Sequence, residues 1–257
     1  YREVLLQGRR GAVLRAISAV DIALWDAISK EAGLPLYRYA GGYREGQVPA
    51  YASGGYYAEG KDLKELQDEV LYNVQELHST AVKIKIGAPN QGLSGDIERV
   101  EAVRDAIGSN ITLMVDANCA LDVGTAVEFA DALSEYDVYW FEEPIPIHDY
   151  EGHKRLSETS QIKIATGENG YTTSYFQTLL QHQGASILNV DATICAGYDT
   201  ALKITDMASD NNVSIAPHGC QELQIHLAAA VQHGEFLEYY PPEVDPLRTK
   251  MFEPSMI

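Results

Sequence analysis

Eight short β-branched runs alternate with longer segments of helical periodicity, no low-complexity stretch interrupts them, and no glycine-rich phosphate turn follows an early run. Together these point to an α/β protein of the (β/α)8 TIM-type barrel class, in which parallel strands close into a barrel ringed by helices. The 257 residues suit one such barrel, although the same length accommodates two smaller domains. The competing architecture is an open doubly wound sheet. It expects GxGxxG or GxxxxGKS/T after an early strand, and neither occurs.

The first element is a helix over 11–33, where Val13, Ile17, Val20, Leu24 and Ile28 recur at spacings of three and four and Gly33 and Pro35 end the run. Strands are expected at 48–54, 81–87, 111–118, 138–144, 163–169, 186–195, 213–219 and 235–240. A helix is expected between neighbouring strands, as over 61–78, 96–107, 123–136, 198–209 and 222–233.

Composition narrows the function. With 46% hydrophobic and 22% charged residues, the chain is an ordinary folded protein rather than a disordered or disulfide-scaffold one. Acidic residues outnumber basic ones 37 to 19, and a net charge of −18 repels polyphosphates and anionic lipids, which sets nucleic acid and membranes aside as partners. No apolar run approaches the roughly eighteen residues that a spanning helix needs. Cys119, Cys195 and Cys220 form no CxxC pair and leave an odd thiol, so a reducing, cytoplasmic compartment is expected. The sequence begins at Tyr1 rather than methionine, which leaves room for an upstream segment.

In a barrel of this class the chemistry sits at the C-terminal strand ends. Strand two reads Val82, Lys83, Ile84, Lys85, Ile86, and a period of two puts both lysines on the face away from the helices. Buried side by side, two ammonium groups lower each other's proton affinity, and such a lysine can act as a base. An isolated KxK on an edge strand would instead leave two solvated lysines. Asp116, Glu142 and Glu168 end strands three, four and five, each 26 residues after the last. Three carboxylates in register repel unless a cation neutralises them, and oxygen ligands with open positions suit Mg2+. Asp191 and His218 end strands six and seven, where an aspartate can hold one imidazole nitrogen and leave the other for proton transfer. Glu238 ends strand eight, and among apolar neighbours it would keep its proton and donate a hydrogen bond. The bland alternative for each acidic strand end is a helix cap.

The KxK strand, the DxN strand end, WFEEP, GEN, the Asp191 and His218 pair, the late Glu238 and the run from Asp149 to His153 together resemble the mandelate racemase subgroup of the enolase superfamily, also called the mandelate racemase and muconate lactonizing enzyme family. The resemblance implies Mg2+ held by Asp116, Glu142 and Glu168. It implies Lys85 and His218, the latter oriented by Asp191, as bases on opposite faces of a small carboxylate substrate. Lys83 would lie beside the substrate carboxylate and depress the pKa of Lys85, Asn118 would touch a substrate hydroxyl, and Glu238 would donate to the forming enediolate. That chemistry comes with the family and not from the residue spacing.

The family also carries an α+β capping domain built mostly from an N-terminal segment of about a hundred residues. Residues 1–47 are therefore expected to be the end of that domain with its linking helix, 48–241 the catalytic barrel, and 242–257 a tail returning towards the cap, the whole being a fragment. Two activities share the first step: dehydration of an acid sugar, an aldonate or aldarate, to its 2-keto-3-deoxy acid, and racemisation or epimerisation of a 2-hydroxy acid. Lys85 and His218 serve both. Asn118, Asn169, Thr193, Gln221, Tyr56 and Tyr57 favour a hydroxyl-rich ligand and hence the dehydratase. A non-catalytic metal-binding barrel is the reading from another class, and a homo-oligomer is expected on general grounds.

Overall fold

The computed structural model describes residues 8, 10–42 and 44–252. In chain order it contains α1 (Ala12–Glu31), α2 (Leu36–Tyr39), β1 (Ala50–Ser53), α3 (Leu63–Gln75), β2 (Ala81–Lys85), α4 (Gly92–Ile107), β3 (Thr112–Asp116) and α5 (Val123–Leu133). There follow β4 (Val138–Glu142), α6 (Tyr150–Thr159), β5 (Lys163–Thr166), α7 (Thr172–Gln181), β6 (Ile187–Leu188), α8 (Tyr198–Asp210), β7 (Ser214–Ile215), α9 (Gln221–Ala230), β8 (Leu237–Tyr239) and α10 (Arg248–Met251). The eight strands form one sheet in the order β7-β6-β5-β4-β3-β2-β1-β8. Consecutive strands neighbour each other and β8 follows β1, which is the cyclic order of a (β/α)8 TIM-type barrel.

Two compact units make up the chain. One comprises Ala50–Ala165, His182–Ser186 and Glu238–Ile257. Its parallel register places Lys85 opposite Asp116, Asp116 opposite Glu142, and Glu142 opposite Ala165. Val82, Ile84, Val115, Phe141 and Ile164 belong to a core cluster with Leu66, Val70, Val100, Val103, Phe129 and Leu133 of the helices. The period-two reading of β2 therefore holds, since its apolar residues face the helices and its lysines the other way. Asp62 and Glu65 form a capping box at α3, and the Asp122 and Asp149 side chains cap α5 and α6.

One helical expectation needs correction in this unit. α4 begins four residues before the expected Asp96, because Asp96 is no cap: it is buried inside the helix and accepts from Gly87 N at 2.7 Å. α6 fills the place of the helix expected between the fourth and fifth strands, but its bounds are not legible, since YEGHKRLSET offers a short, mostly polar segment with few apolar residues to set a period.

The other unit comprises Tyr1–Pro49, Thr166–Gln181 and Ile187–Leu237. Here α1 corrects the sequence reading: Val20, Leu24 and Ile28 of the apolar stripe are 62%, 57% and 45% exposed, while Leu14, Ser18, Ile22 and Ser29 are buried. The cause is close approach. Ser18 Oγ accepts from the Ala196 backbone N at 3.1 Å, and only a small side chain leaves room for that contact. α7 likewise takes the place of a helix expected between neighbouring strands without stated bounds. β6 and β7 are two residues each, shorter than the expected runs, yet parallel bonding continues past them from Ala216 N to Leu188 O at 3.0 Å and from His218 N to Val190 O at 3.2 Å. That extra pairing carries Asp191 and His218 to their strand ends. Among the described residues, no helix is long and apolar enough to cross a membrane.

Candidate active site and metal centre

Within the first unit, β2, β3, β4 and β8 bring together Lys83, Lys85, Asp116, Glu142 and Glu238. Lys83 is 1% exposed, and burial alone would favour its neutral form. Its Nζ donates to Glu142 Oε1 at 2.6 Å and to Tyr51 Oη at 3.3 Å, and lies 3.0 Å from Glu238 Oε1 and 3.5 Å from Asp116 Oδ2. Against the desolvation, these partners hold its pKa well above the usual lysine value. The condition under which Glu238 would keep its proton, apolar neighbours, is not met on the Lys83 side, because β8 follows β1 in the sheet and brings Glu238 to the Lys83 ammonium.

Lys85 Nζ donates to Asp116 Oδ2. Burial and Lys83 both push its pKa down, but the Asp116 carboxylate outweighs them and the net shift is upward. The expected depression rests on Lys83 together with a bound cation, and the Asp116 carboxylate facing Lys85 pulls the other way. For Asp116, burial raises the pKa, and the two lysines together with the Asn118 backbone N, at 2.8 Å, bring it below the usual carboxylate value. Asn118 turns at φ 41°, with its Nδ2 at 3.4 Å from Asp116 Oδ2.

Within the second unit, His218 Nδ1 lies 3.0 Å from Asp191 Oδ2, and His218 Nε2 lies 3.3 Å from Glu168 Oε2. The other Asp191 oxygen accepts from Thr193 N and Thr193 Oγ1, both at 2.7 Å, and from Gln224 Nε2 at 2.7 Å. Four contacts on one carboxylate fix its orientation and so that of the imidazole it holds. Gly219 is required beside it: φ is 92°, and a Cβ there would stand 2.7 Å from Asp191 Oδ2.

Asp116, Glu142 and Glu168 form a buried acidic triad, each offering one oxygen within 4.8 Å of the others. Three buried, hard oxygen donors fit Mg2+, which keeps further positions for water or substrate.

Two contributors escaped the sequence reading. Gln224, fully buried, stands one helical turn after Gln221 on α9, and that spacing was the available signal. Trp140, two residues before Glu142 on the same strand face, donates Nε1 to Glu142 Oε2 at 3.0 Å. Of the hydroxyl-bearing residues expected at the ligand, Tyr57 is committed elsewhere, donating to Asp96 Oδ1, and Thr193 is committed to Asp191.

The family model described as enolase C-terminal domain-like matches residues 65–256. The chain is 34% identical over its whole length to an arabinonate dehydratase of Saccharolobus solfataricus, covering 68% of that protein. Among solved structures it is similar to a racemase from Streptomyces coelicolor with bound magnesium, at 35% identity and a TM-score of 0.85 over 91% of this chain and 68% of that one. It is also similar to an L-talarate dehydratase from Polaromonas complexed with Mg and L-glucarate, at 33% identity and a TM-score of 0.86 over 94% of this chain and 66% of that one. The chain spans from 57% to 68% of the length of the curated relatives it matches. With the barrel order, the acidic triad and these likenesses in hand, the chain belongs to the enolase superfamily, in its mandelate racemase branch.

Proposed function

We propose that the protein removes the proton α to the carboxylate of an aldonate or aldarate and dehydrates that acid sugar to its 2-keto-3-deoxy acid. The observation that carries this reading is a buried triad of carboxylates with a proton carrier on each outer member: Lys85 on Asp116 and His218 on Glu168. Asp116, Glu142 and Glu168 hold Mg2+ in this reading. When bound, Mg2+ supplies positive charge that offsets the negative charge the substrate carboxylate gains as its α-proton leaves.

The chain's own residues do the rest. Lys85 Nζ, in its free-amine form, takes the α-proton on one face and becomes the ammonium. Asp191 on Nδ1 orients His218 so that Nε2 serves the other face, where the imidazolium gives its Nε2 proton to the departing β-hydroxyl, which leaves as water, and becomes the neutral ring. Lys83, held between Glu142 and Glu238, lies beside the substrate carboxylate, Glu238 donates to that carboxylate as it becomes an enediolate, and Asn118 meets a substrate hydroxyl. The likeness to arabinonate and L-talarate dehydratases supports a sugar acid as substrate. Residues 1–47 and 242–257 belong to the cap in this proposal, 48–241 to the barrel, and the protein works as a symmetric oligomer in the cytoplasm. Racemisation of a 2-hydroxy acid is the second reading, favoured by the likeness to a structure described as a racemase.

A panel of aldonates, aldarates and 2-hydroxy acids tests the proposal. With Mg2+ at least one sugar acid yields a semicarbazide-reactive keto acid, and EDTA stops it. Loss of optical rotation from a 2-hydroxy acid, with no keto acid from any sugar acid, overturns dehydration in favour of racemisation. Mg2+ binding without turnover of either class leaves a non-catalytic metal-binding barrel.

A further inference from the structure

The loop after β1 carries an investment that the reading above does not use. Gly55 is held from both sides of its backbone: its N–H donates to Glu69 Oε1 at 2.7 Å, and its carbonyl accepts from Arg99 Nη2 at 2.6 Å. The Tyr56 carbonyl accepts from Lys61 Nζ at 3.1 Å, and that ammonium also pairs with Glu69. Tyr57 donates to Asp96, whose second oxygen takes the Gly87 N–H at 2.7 Å, while the Arg99 guanidinium lies 4.1 Å from the Tyr57 ring centroid. Asp96 and Arg99 are 0% and 5% exposed.

Burying a carboxylate and a guanidinium costs desolvation free energy, and a loop that merely closed a strand end would be served by water. Glycine at 55 is needed for the clamp: φ is 63°, and a Cβ would stand 2.6 Å from Ile84 Cβ. Between the two fastened peptides is Tyr56, and its ring faces Lys85, with Nζ 5.3 Å from the ring centroid. None of the clamping side chains contributes to the cluster of Lys83, Lys85, Asp116, Glu142 and Glu238. Tyr56 is the member of the loop that reaches it.

We propose that Tyr56 is a positioning residue for Lys85, its ring held as a fixed wall by the Glu69, Asp96 and Arg99 clamp, so that Nζ is confined to the Asp116 side and presented to one face of the substrate. This rests on the reading of Lys85 as the base for that face. An aromatic face attracts the ammonium through its quadrupole and limits the rotamers of a long, flexible stem. The working part is the ring and not the hydroxyl. Tyr57 and Asp96 act one step further out, by holding the loop.

The test is solvent-deuterium exchange at the substrate α-carbon with Mg2+ at saturating substrate, measured on two epimers that present the proton to Lys85 and to His218 respectively. Tyr56→Leu slows Lys85-face exchange about tenfold, the scale of a partly desolvated cation–π contact, and leaves His218-face exchange unchanged. Tyr56→Phe recovers most of the lost rate. Tyr57→Phe, which cuts the bond to Asp96 and keeps the ring beside Arg99, gives a smaller loss on the same face only. Equal losses on both faces with Tyr56→Leu, or a Tyr56→Phe defect as large as that of Tyr56→Leu, overturn the positioning role while leaving the two-base reading intact. Lys85→Ala is the separate control: if it leaves exchange at both epimers unaltered, the base assignment itself falls, and the positioning role with it.

Discussion

His153 is predicted to make the protein sensitive to mild acid. It lies in α6 with no exposed surface, and neither ring nitrogen has a hydrogen-bond partner among the described residues. Burial lowers its pKa from 6.5 to about 4, against a smaller opposing pull from the Asp149 carboxylate. As pH falls, the unfolded chain binds a proton near 6.5 while the folded chain does so only near 4, so stability is lost across that window. At 1.36 kcal/mol per pKa unit the loss from this one group is about 2 kcal/mol at pH 5 and about 3 kcal/mol below pH 4. His153→Leu, close in size and unable to bind a proton, removes that component. Urea unfolding of both proteins at pH 7.5 and pH 5.0 isolates it, because every other titrating group is common to the two. The wild type should lose about 2 kcal/mol more than the variant between those pH values. Equal losses would refute the argument, and a greater loss in the variant would reverse its sign.

Three further outcomes follow from the geometry. Gln224→Leu deletes a 2.7 Å hydrogen bond to the Asp191 side chain and should lower kcat about tenfold with little change in KM, since a bond to a carboxylate is worth about 1.5–3 kcal/mol; an unchanged kcat in steady-state assays would remove Gln224 from the machinery. Lys83→Met leaves Asp116, Glu142 and Glu238 without their shared ammonium, at a cost of about 3–5 kcal/mol, and should make the thermal midpoint rise more with added Mg2+ than in the wild type; an identical Mg2+ response would mean that Lys83 does not balance the metal ligands' charge. Cys195 is fully buried, and burial pushes its thiol pKa up, so it should resist a thiol reagent at pH 8 in the native protein; its prompt labelling, seen by peptide mapping, would show that the turn between β6 and α8 opens readily.

Residues whose roles follow from strand period and strand order could be read directly. Lys83 and Lys85 share a face because they are two apart, and Asp116, Glu142 and Glu168 recur at one strand–helix repeat. Both are local regularities that the fold preserves. What could not be read depends on which distant group arrives opposite. The sequence did not show that β8 would bring Glu238 to Lys83, or that the Asp116 carboxylate facing Lys85 would pull its pKa upward. Tyr57 was a plausible ligand contact by its place after β1, yet Asp96, 39 residues later, takes its hydroxyl. On α1 the periodicity was real, but it did not reveal which face is buried, because Ser18 is chosen for a backbone contact with Ala196 rather than for hydrophobicity. A site of this kind is therefore legible in its ligands, which must sit at strand ends whatever surrounds them. It is illegible in its tuning, since each pKa and each rotamer is set by a partner from another strand or helix. It follows that substitutions at the strand-end ligands should act alike across this branch, whereas substitutions at Tyr56, Asp96 and Gln224 should depend on the partners this particular chain supplies.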